Sequence, residues 1–339
     1  MPNGGFRNPW RDTNEDWRPG GVLRWQWERW RSGNLPRLPG SDAFPRATPA
    51  IANPRAAHDE MRLTWVGHST YLLQIGSLNI LTDPVWSDRA SPVSWSGPRR
   101  VVGPVPEFEA LPPIDAVLVS HDHYDHLDAP TVRRLHARFG GRIRWITPLG
   151  YRSWFRSFGA DTLDELDWGD ATIVGDGSAR VTIRATPARH WTRRRPFVRS
   201  RRLWASFVIE GSAGNIYFAG DSGYFPGYAE IGEAHGPFDA LIMPIGAYEP
   251  RWFMRPMHMN PAEAVQAYRE LGSSGTFLPM HWGTFILTDE PALDPPLRLR
   301  EAWQAAGLPA ADLRVLQHGE TFVRGTVADD PAQQAPRTP

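Results

Sequence analysis

The sequence predicts an α/β chain built as a four-layer αββα sandwich. Three observations lead there. Short apolar runs broken by turns alternate with helical patterns along most of the chain. Two hairpins resemble each other: "STYLLQIGSLNILTDP" and "ASFVIEGSAGNIYFAGDS" share an apolar strand, a Gly/Ser turn, an Asn-Ile pair and a closing Asp. Each is followed by a helix-and-strand region, so the chain reads as two related halves, each a sheet with helices on its outer side.

The elements follow in order. "GVLRWQWERWRS" is a helical candidate that aligns Leu23, Trp27 and Trp30 at i, i+4 and i+7. That face either packs the N-terminal arm on the body or rests at a membrane interface, where Trp favours headgroup depth and Arg favours anionic lipid. "LTWVGHSTYLLQIG" and "LNILTDPVW" form a hairpin around Gly76 and Ser77. "IDAVLVSHDH" is a buried strand, and "APTVRRLHARFG" is a helix closed by Gly140. "RIRWITP" is a strand and "YRSWFRSFG" a short helix; "VTIRATPARH" is a strand running into a loop. After the second hairpin come the buried strand "FDALIMPIGAY", the helix "NPAEAVQAYRELG" opened by Asn260 and Pro261, and a last strand, "TFLPMHWG". Residues 1–57 form a Trp/Arg-rich arm, 58–326 one catalytic-sized domain, and 327–339, polar and Pro-rich, a disordered tail.

Composition narrows the chemistry. The 339 residues balance 37 basic against 37 acidic side chains, which argues against binding nucleic acid by overall charge. All the basic residues are arginine, as a codon bias would produce. With no cysteine, disulfides and thiolate ligands are excluded, so a transition-metal site must use His, Asp or Glu. No run approaches the ~20 apolar residues of a membrane-spanning helix, and no secretory leader is visible. A cytoplasmic protein is expected, with peripheral membrane contact as the alternative.

"VLVSHDHYDHLD" places three His and three Asp in the eight positions after an apolar run. Unpaired polar groups at that density are costly to bury, and a divalent cation offsets the cost by taking imidazole nitrogen and carboxylate oxygen directly. His121, His123, Asp125 and His126 offer the first donors. His190, Asp221 and His281 each follow a separate strand, and strand ends gather along one edge of such a fold.

"HDHYDH" fits the His-Xaa-His-Xaa-Asp-His motif, and with its later ligands the chain resembles the metallo-β-lactamase superfamily from about residue 60 to 325. The resemblance implies the αββα fold and two Zn2+ ions, although His/Asp sites also accept manganese or iron. It implies His121, His123 and His190 on one metal, Asp125, His126 and His281 on the other, and Asp221 between them, with Asp83 supporting the ligands from behind. "FRNPW", "LTWVGHSTYLLQIGSLNILTDPVWSDRASPVSWSGPRR" and "IGAYEPRWFMRPMHMNPAEAVQ" are similar to the N-acylphosphatidylethanolamine-hydrolysing phospholipase D branch and its bacterial relatives. That branch cleaves a phosphodiester to phosphatidic acid and an N-acylethanolamine, and its arm contributes to membrane association in the eukaryotic enzyme.

The expected chemistry is attack on phosphorus by a hydroxide shared between metals roughly 3.5–4 Å apart. Asp221 would hold the spacing, Asp125 would orient the hydroxide, and His258, which matches an active-site His of the branch, is the candidate proton donor. His68 reads equally as support for a ligand or as a packed polar residue. Seven arginines between 189 and 202, with Trp191 and Phe197 among them and Trp204 just after, suit an anionic headgroup or RNA, or else form a solvated loop with a few surface ion pairs. Arg193 and Arg194 are the substrate candidates there, and Trp252, Phe253 and Met254 are candidates for an acyl-chain entrance. His58, His136, His235 and His318 read as ordinary surface residues. The leading expectation is a phosphodiesterase acting on a phospholipid. A carboxylic-ester or lactone hydrolase and a nuclease are the alternatives, and a metal-bearing binding protein without turnover is disfavoured by the intact ligand set. The reading leaves room for a homodimer.

Overall fold

The computed structural model describes residues 5–10, 20–33, 39–177, 179–194 and 199–324. The tail at 327–339, expected to be disordered, therefore lies outside the described residues, as do Arg195 and Phe197. Strands β1 (Met61–Gly67), β2 (Thr70–Ile75), β3 (Leu78–Thr82), β4 (Ala116–Leu118), β5 (Arg144–Pro148) and β6 (Leu163–Leu166) lie in one sheet. Strands β7 (Ala171–Asp176), β8 (Ala179–Thr186), β9 (Ser206–Gly211), β10 (Gly214–Phe218), β11 (Ala240–Pro244) and β12 (Thr276–Met280) make the other. A short β13 (Thr321–Val323) returns to the first sheet, giving the orders β13-β1-β2-β3-β4-β5-β6 and β12-β11-β10-β9-β8-β7. The helices are α1 (Gly21–Ser32), α2 (Ala129–Phe139), α3 (Arg152–Arg156), α4 (Gly227–His235), α5 (Arg251–Met254), α6 (Pro261–Glu270) and α7 (Asp294–Ala305).

The two halves match in pairing. β2 and β3 are antiparallel and β3, β4 and β5 run parallel; likewise β9 and β10 are antiparallel and β10, β11 and β12 run parallel. Alternation within strands separates the layers. Tyr71, Leu73, Ile80, Ala116 and Leu118 face the second sheet, whereas Leu72, Leu81 and Val117 pack with Val132 and Leu135 of α2 and Phe155 of α3. On the far side, Tyr228 of α4, Val265 and Tyr268 of α6, and Trp303 of α7 join the larger core. A cross-strand pair is worth about 0.2–1 kcal/mol and a fully buried Leu or Ile about 1.5–3 kcal/mol. Burial therefore sets the register: a one-residue slip would turn every inward side chain outward.

The structure departs from expectation in several elements. The first apolar stretch is two strands, because Gly67 (φ 137°) and His68 (φ 54°) turn the chain between β1 and β2. "TFLPMHWG" is followed by β13, and β6, β7, α4 and α7 were not anticipated. β6 is four residues long and in β7 only Val174 is buried, so their apolar period is weak, whereas α7 buries Pro295, Leu299 and Trp303 at i, i+4 and i+8.

Helix α1 corrects a second reading. Its Leu23, Trp27 and Trp30 do share a face, but that face is 76%, 52% and 80% exposed, while Trp25 is the residue that packs inward. Trp25 meets Phe253, Met254 and Met257, and its Nε1 donates to Asp289 Oδ2 at 2.5 Å. Elsewhere in the arm Trp10 packs on Phe225 and Trp168, and Asn8 Nδ2 donates to the His190 carbonyl at 2.9 Å. Among the described residues no helix is long and apolar enough to cross a membrane.

The chain after β4 and the chain after β10 approach closely at Ser120 and Gly220. A Cβ on Gly220 (φ 56°) would lie 2.6 Å from the Ser120 Cβ and 3.3 Å from the Ala205 carbonyl oxygen. Gly220→Ala should therefore cost about 1–3 kcal/mol and part the loops carrying His121 and Asp221. Denaturant unfolding checks the first effect and metal uptake the second.

Candidate metal centre

Parallel strands in register bring their carboxyl ends to one edge, and six of those ends carry the polar cluster. His68 follows β1, Asp83 follows β3, and the 121–126 loop leaves β4; His190, Asp221 and His281 follow β8, β10 and β12. The side chains of His68, Asp83, His121, His126, His190, Asp221 and His281 are buried, and those of His123 and Asp125 are half-buried. His68, Asp83 and His281 have positive φ of 54°, 35° and 64°, conformations of the kind that persist only where surrounding bonds over-determine them.

Two sets of donors face a common carboxylate. In the first, His123 Nδ1 lies 2.8 Å from His121 Nε2 and 3.2 Å from His190 Nε2. In the second, Asp125 Oδ2 is 3.5 Å from the Nε2 of both His126 and His281. Asp221 Oδ2 is 3.1 Å from His126 Nε2, 3.2 Å from His281 Nε2, 3.8 Å from His121 Nε2 and 3.9 Å from His190 Nε2. Donors around a tetrahedral zinc with bonds of 2.0–2.1 Å stand roughly 3.4 Å apart, so both sets have the spacing of a metal site. Groups of His and Asp atoms within 4.8 Å of one another recur here: His121, His123, His190; His68, Asp125, His126, His281; and His190, Asp221, His258.

The rear nitrogens of His121, His126 and His190 are committed, which fixes which of their lone pairs point inward. His190 Nδ1 donates to the Met257 carbonyl at 3.0 Å. Asp83 Oδ2 receives Ser120 Oγ at 2.6 Å and lies 2.7 Å from His126 Nδ1, and Ser120 Oγ is in turn 3.0 Å from His121 Nδ1. One carboxylate thus orients two imidazoles. His68 Nε2 lies 3.0 Å from Asp125 Oδ2, the oxygen that also faces His126 and His281. On the inward side the buried atoms His126 Nε2, His281 Nε2, Asp221 Oδ1 and His258 Nδ1 have no hydrogen-bond partner. Orphaned donors of that kind are what a cation would satisfy.

Charge agrees with geometry. Burial works against the ionised forms of Asp125 and Asp221, yet the neighbouring His126, with His281, holds both well below the usual carboxylate range. Burial, reinforced by the imidazoles around them, holds His121 and His190 well below the ordinary histidine value and so neutral, as ligands must be.

His258 stands beside this set, its Nδ1 3.8 Å from Asp221 Oδ2. Its position comes from the α5–α6 link: Arg251 donates Nη1 to the His258 carbonyl at 3.0 Å and Nη2 to Glu263 Oε2 at 2.7 Å. Glu263 also closes the capping box with Asn260 at the start of α6.

Not all of the expected site residues face the centre. Arg194 turns inward, where its Nη1 donates to the carbonyls of Asp122 at 2.9 Å and Leu127 at 2.7 Å and its guanidinium lies over Tyr124. It braces the ligand loop, because buried carbonyls there need donors. Arg193 is exposed, with its backbone N–H on Asp122 Oδ1. Phe253 and Met254 are buried beneath Trp25, and only Trp252, 43% exposed, reaches solvent. His318 is not a surface residue: it is buried against Trp65. Its only local signal was "LQHGE" before a weak strand, and burial there comes from distant parts of the chain.

Residues 78–282 match the family described as the beta-lactamase superfamily domain. The chain is 38% identical to "N-acyl-phosphatidylethanolamine-hydrolyzing phospholipase D 1" of Caenorhabditis elegans, over 88% of this chain and 86% of that one. An uncharacterized protein of Mycobacterium tuberculosis is 41% identical over 83% of this chain and 73% of its own. Among solved structures, Igni18, a metallo hydrolase from the archaeon Ignicoccus hospitalis, superposes with a TM-score of 0.57 at 21% identity, covering 78% of this chain and 98% of that one.

Metal uptake should expel protons. Burial opposes the charged form of His281, but Asp221 and Asp125 outweigh it and push the ring up to about 9; carboxylates likewise raise His126 well above its ordinary value. Both rings therefore carry protons at pH 7 without metal. Zinc affinity should rise with pH through neutrality, with release on the order of two protons at pH 7. Calorimetric titration in buffers of different ionisation enthalpy measures that release.

Proposed function

The chain belongs to the metallo-β-lactamase superfamily and is a metal-dependent hydrolase; from that premise we propose that it cleaves the phosphodiester bond of N-acylphosphatidylethanolamine-like phospholipids. One observation carries the reading: five histidines and two aspartates with metal-site spacing converge in a chain 38% identical to a protein named for that activity. In this reading His121, His123 and His190 hold one zinc, Asp125, His126 and His281 hold a second, and Asp221 lies between them.

Two such cations would supply Lewis-acid polarisation of a phosphoryl oxygen and a water acidic enough to react near neutral pH. The protein's own groups do the rest. Asp221 and Asp125, both ionised, hold positive charge close together. Burial, opposed by Asp221, keeps His258 down at about 4, so its ring is neutral at pH 7. That changes the role expected of it. A neutral Nδ1, orphaned and 3.8 Å from Asp221, can take the proton of the attacking water and return it to the departing alkoxide.

The exposed Leu23, Trp27 and Trp30 of α1 support peripheral contact with a lipid surface. Arg24 lies over Trp252 at 4.2 Å and Arg31 over Trp27 at 5.2 Å, which combines apolar and cationic groups on the arm. Trp25 seats this helix on the residues preceding His258, so the same surface would lie close to the centre.

A chromogenic phosphodiester, a lactone and N-acylphosphatidylethanolamine vesicles, each with and without chelator, test the substrate class. Chelator-sensitive release from the phospholipid is expected; release from the lactone alone would replace this reading with the carboxylic-ester one, and release from nucleic acid alone with the nuclease one. His258→Ala should lower turnover by about 10²–10⁴-fold while zinc content, measured by atomic emission, stays at the wild-type level. Trp27→Ser with Trp30→Ser should weaken vesicle binding and vesicle hydrolysis yet leave the soluble phosphodiester unaffected.

A further inference from the structure

His318 lies beyond every candidate ligand, yet its contacts run toward one of them. Its imidazole stacks on Trp65, with ring centroids 4.2 Å apart, and its Nε2 lies 2.9 Å from Thr284 Oγ1. Both neighbours hold the same residue. Thr284 Oγ1 accepts the backbone N–H of His68 at 2.6 Å, and Trp65 Nε1 donates to the His68 carbonyl at 2.8 Å. That carbonyl also accepts the N–H of His281 at 3.1 Å. His68 is thereby fixed in its left-handed conformation, and its Nε2 reaches Asp125 Oδ2 at 3.0 Å.

The pocket around His318 is built to fit. A Cβ on Gly67 would lie 3.2 Å from His318 Cδ2 and 3.2 Å from Thr284 Oγ1, and one on Gly283 would lie 3.4 Å from His318 Cε1. The His318 backbone is pinned to the arm, its N–H on the Pro45 carbonyl at 3.3 Å and its carbonyl receiving Ala47 N–H at 2.9 Å. An imidazole so enclosed has one hydrogen bond to give direction, the one to Thr284.

We propose that His318 is a positioning residue for the metal centre, acting through Thr284 and Trp65 on His68 and through His68 on Asp125. The proposal rests on the metal-dependent reading above for its functional meaning and deepens it: one of the two donor sets, that of Asp125, His126 and His281, is tuned from His318 through Thr284 and His68. The route is asymmetric, because His121 is held by Ser120 and His190 by the Met257 carbonyl, and neither shares these bonds.

Two variants separate hydrogen bond from packing. His318→Phe keeps an aromatic ring on Trp65 and removes the bond to Thr284; His318→Gln keeps a polar partner for Thr284. In the metal-free protein, hydrogen exchange of the His68 amide should quicken by about tenfold in H318F and in Thr284→Val, with no further gain in the double variant, and H318Q should restore it. Titration of zinc against a chromophoric chelator should show one of two binding classes weakened by about tenfold in H318F and the other unchanged. Wild-type exchange at His68 in H318F would overturn the proposal. So would equal weakening of both classes in step with a lowered thermal midpoint, the result expected of a residue that only packs. A wild-type protein that binds no zinc would instead sink the metal-dependent reading, and the exchange measurement would still decide the role of His318.

Discussion

Asp221 Oδ2 is surrounded by ring nitrogens of five histidines, at 3.1 Å for His126, 3.2 Å for His281, 3.8 Å for His121 and His258, and 3.9 Å for His190. An ionised carboxylate removed from water to this extent is expensive unless charge and hydrogen bonds compensate for the lost solvation. Protonated imidazoles at His126 and His281 supply part of that compensation without metal, and divalent cations supply more. The arrangement around it follows from this need. Three imidazoles present one nitrogen inward and anchor the other: His126 on Asp83, His121 on Ser120 and His190 on the Met257 carbonyl.

The fold meets that requirement through parallel pairing. β3, β4 and β5 and again β10, β11 and β12 run side by side, so the loops that follow them leave from the same edge. The close approach of Ser120 and Gly220 then brings the edges of the two sheets together, with His121 and Asp221 one residue further along. Outside the sheets, Arg251 and Glu263 tie α5 to α6 and fix the carbonyl of His258 between them.

Much of this was legible in the sequence, for a physical reason. Strands buried on both faces must be nearly continuous apolar runs, and polar clusters at their ends stand out against that background; "AVLVSHDHYDH" and "TFLPMHWG" both show it. The halves were visible because the paired hairpins share an apolar strand, an Asn-Ile pair and a closing Asp. What stayed hidden depended on contacts distant in the chain. Periodicity found the common face of Leu23, Trp27 and Trp30 but carried no information on which side of α1 meets the body; the choice fell to Trp25 because Phe253, Met254 and Met257 offer it a seat. The arginine run after His190 looked like one solvated anion site, yet Arg194 is drawn inward by two carbonyls more than sixty residues away. His318 carried no motif, and its environment is assembled from β1, the chain after β12 and the arm.

The seat of Trp25 also bears on how the chain can be divided. Residues 1–57 look like an appendage by composition, but Asn8 bonds the carbonyl of His190, Trp25 covers the apolar residues leading into His258, and Pro45 and Ala47 pair with His318. The natural unit of exchange between related proteins is consequently the arm together with the surface under it. A graft of a foreign leader at residue 57 would inherit a bared patch of Phe253, Met254 and Met257 and three loosened loops, so recombination should favour crossovers elsewhere.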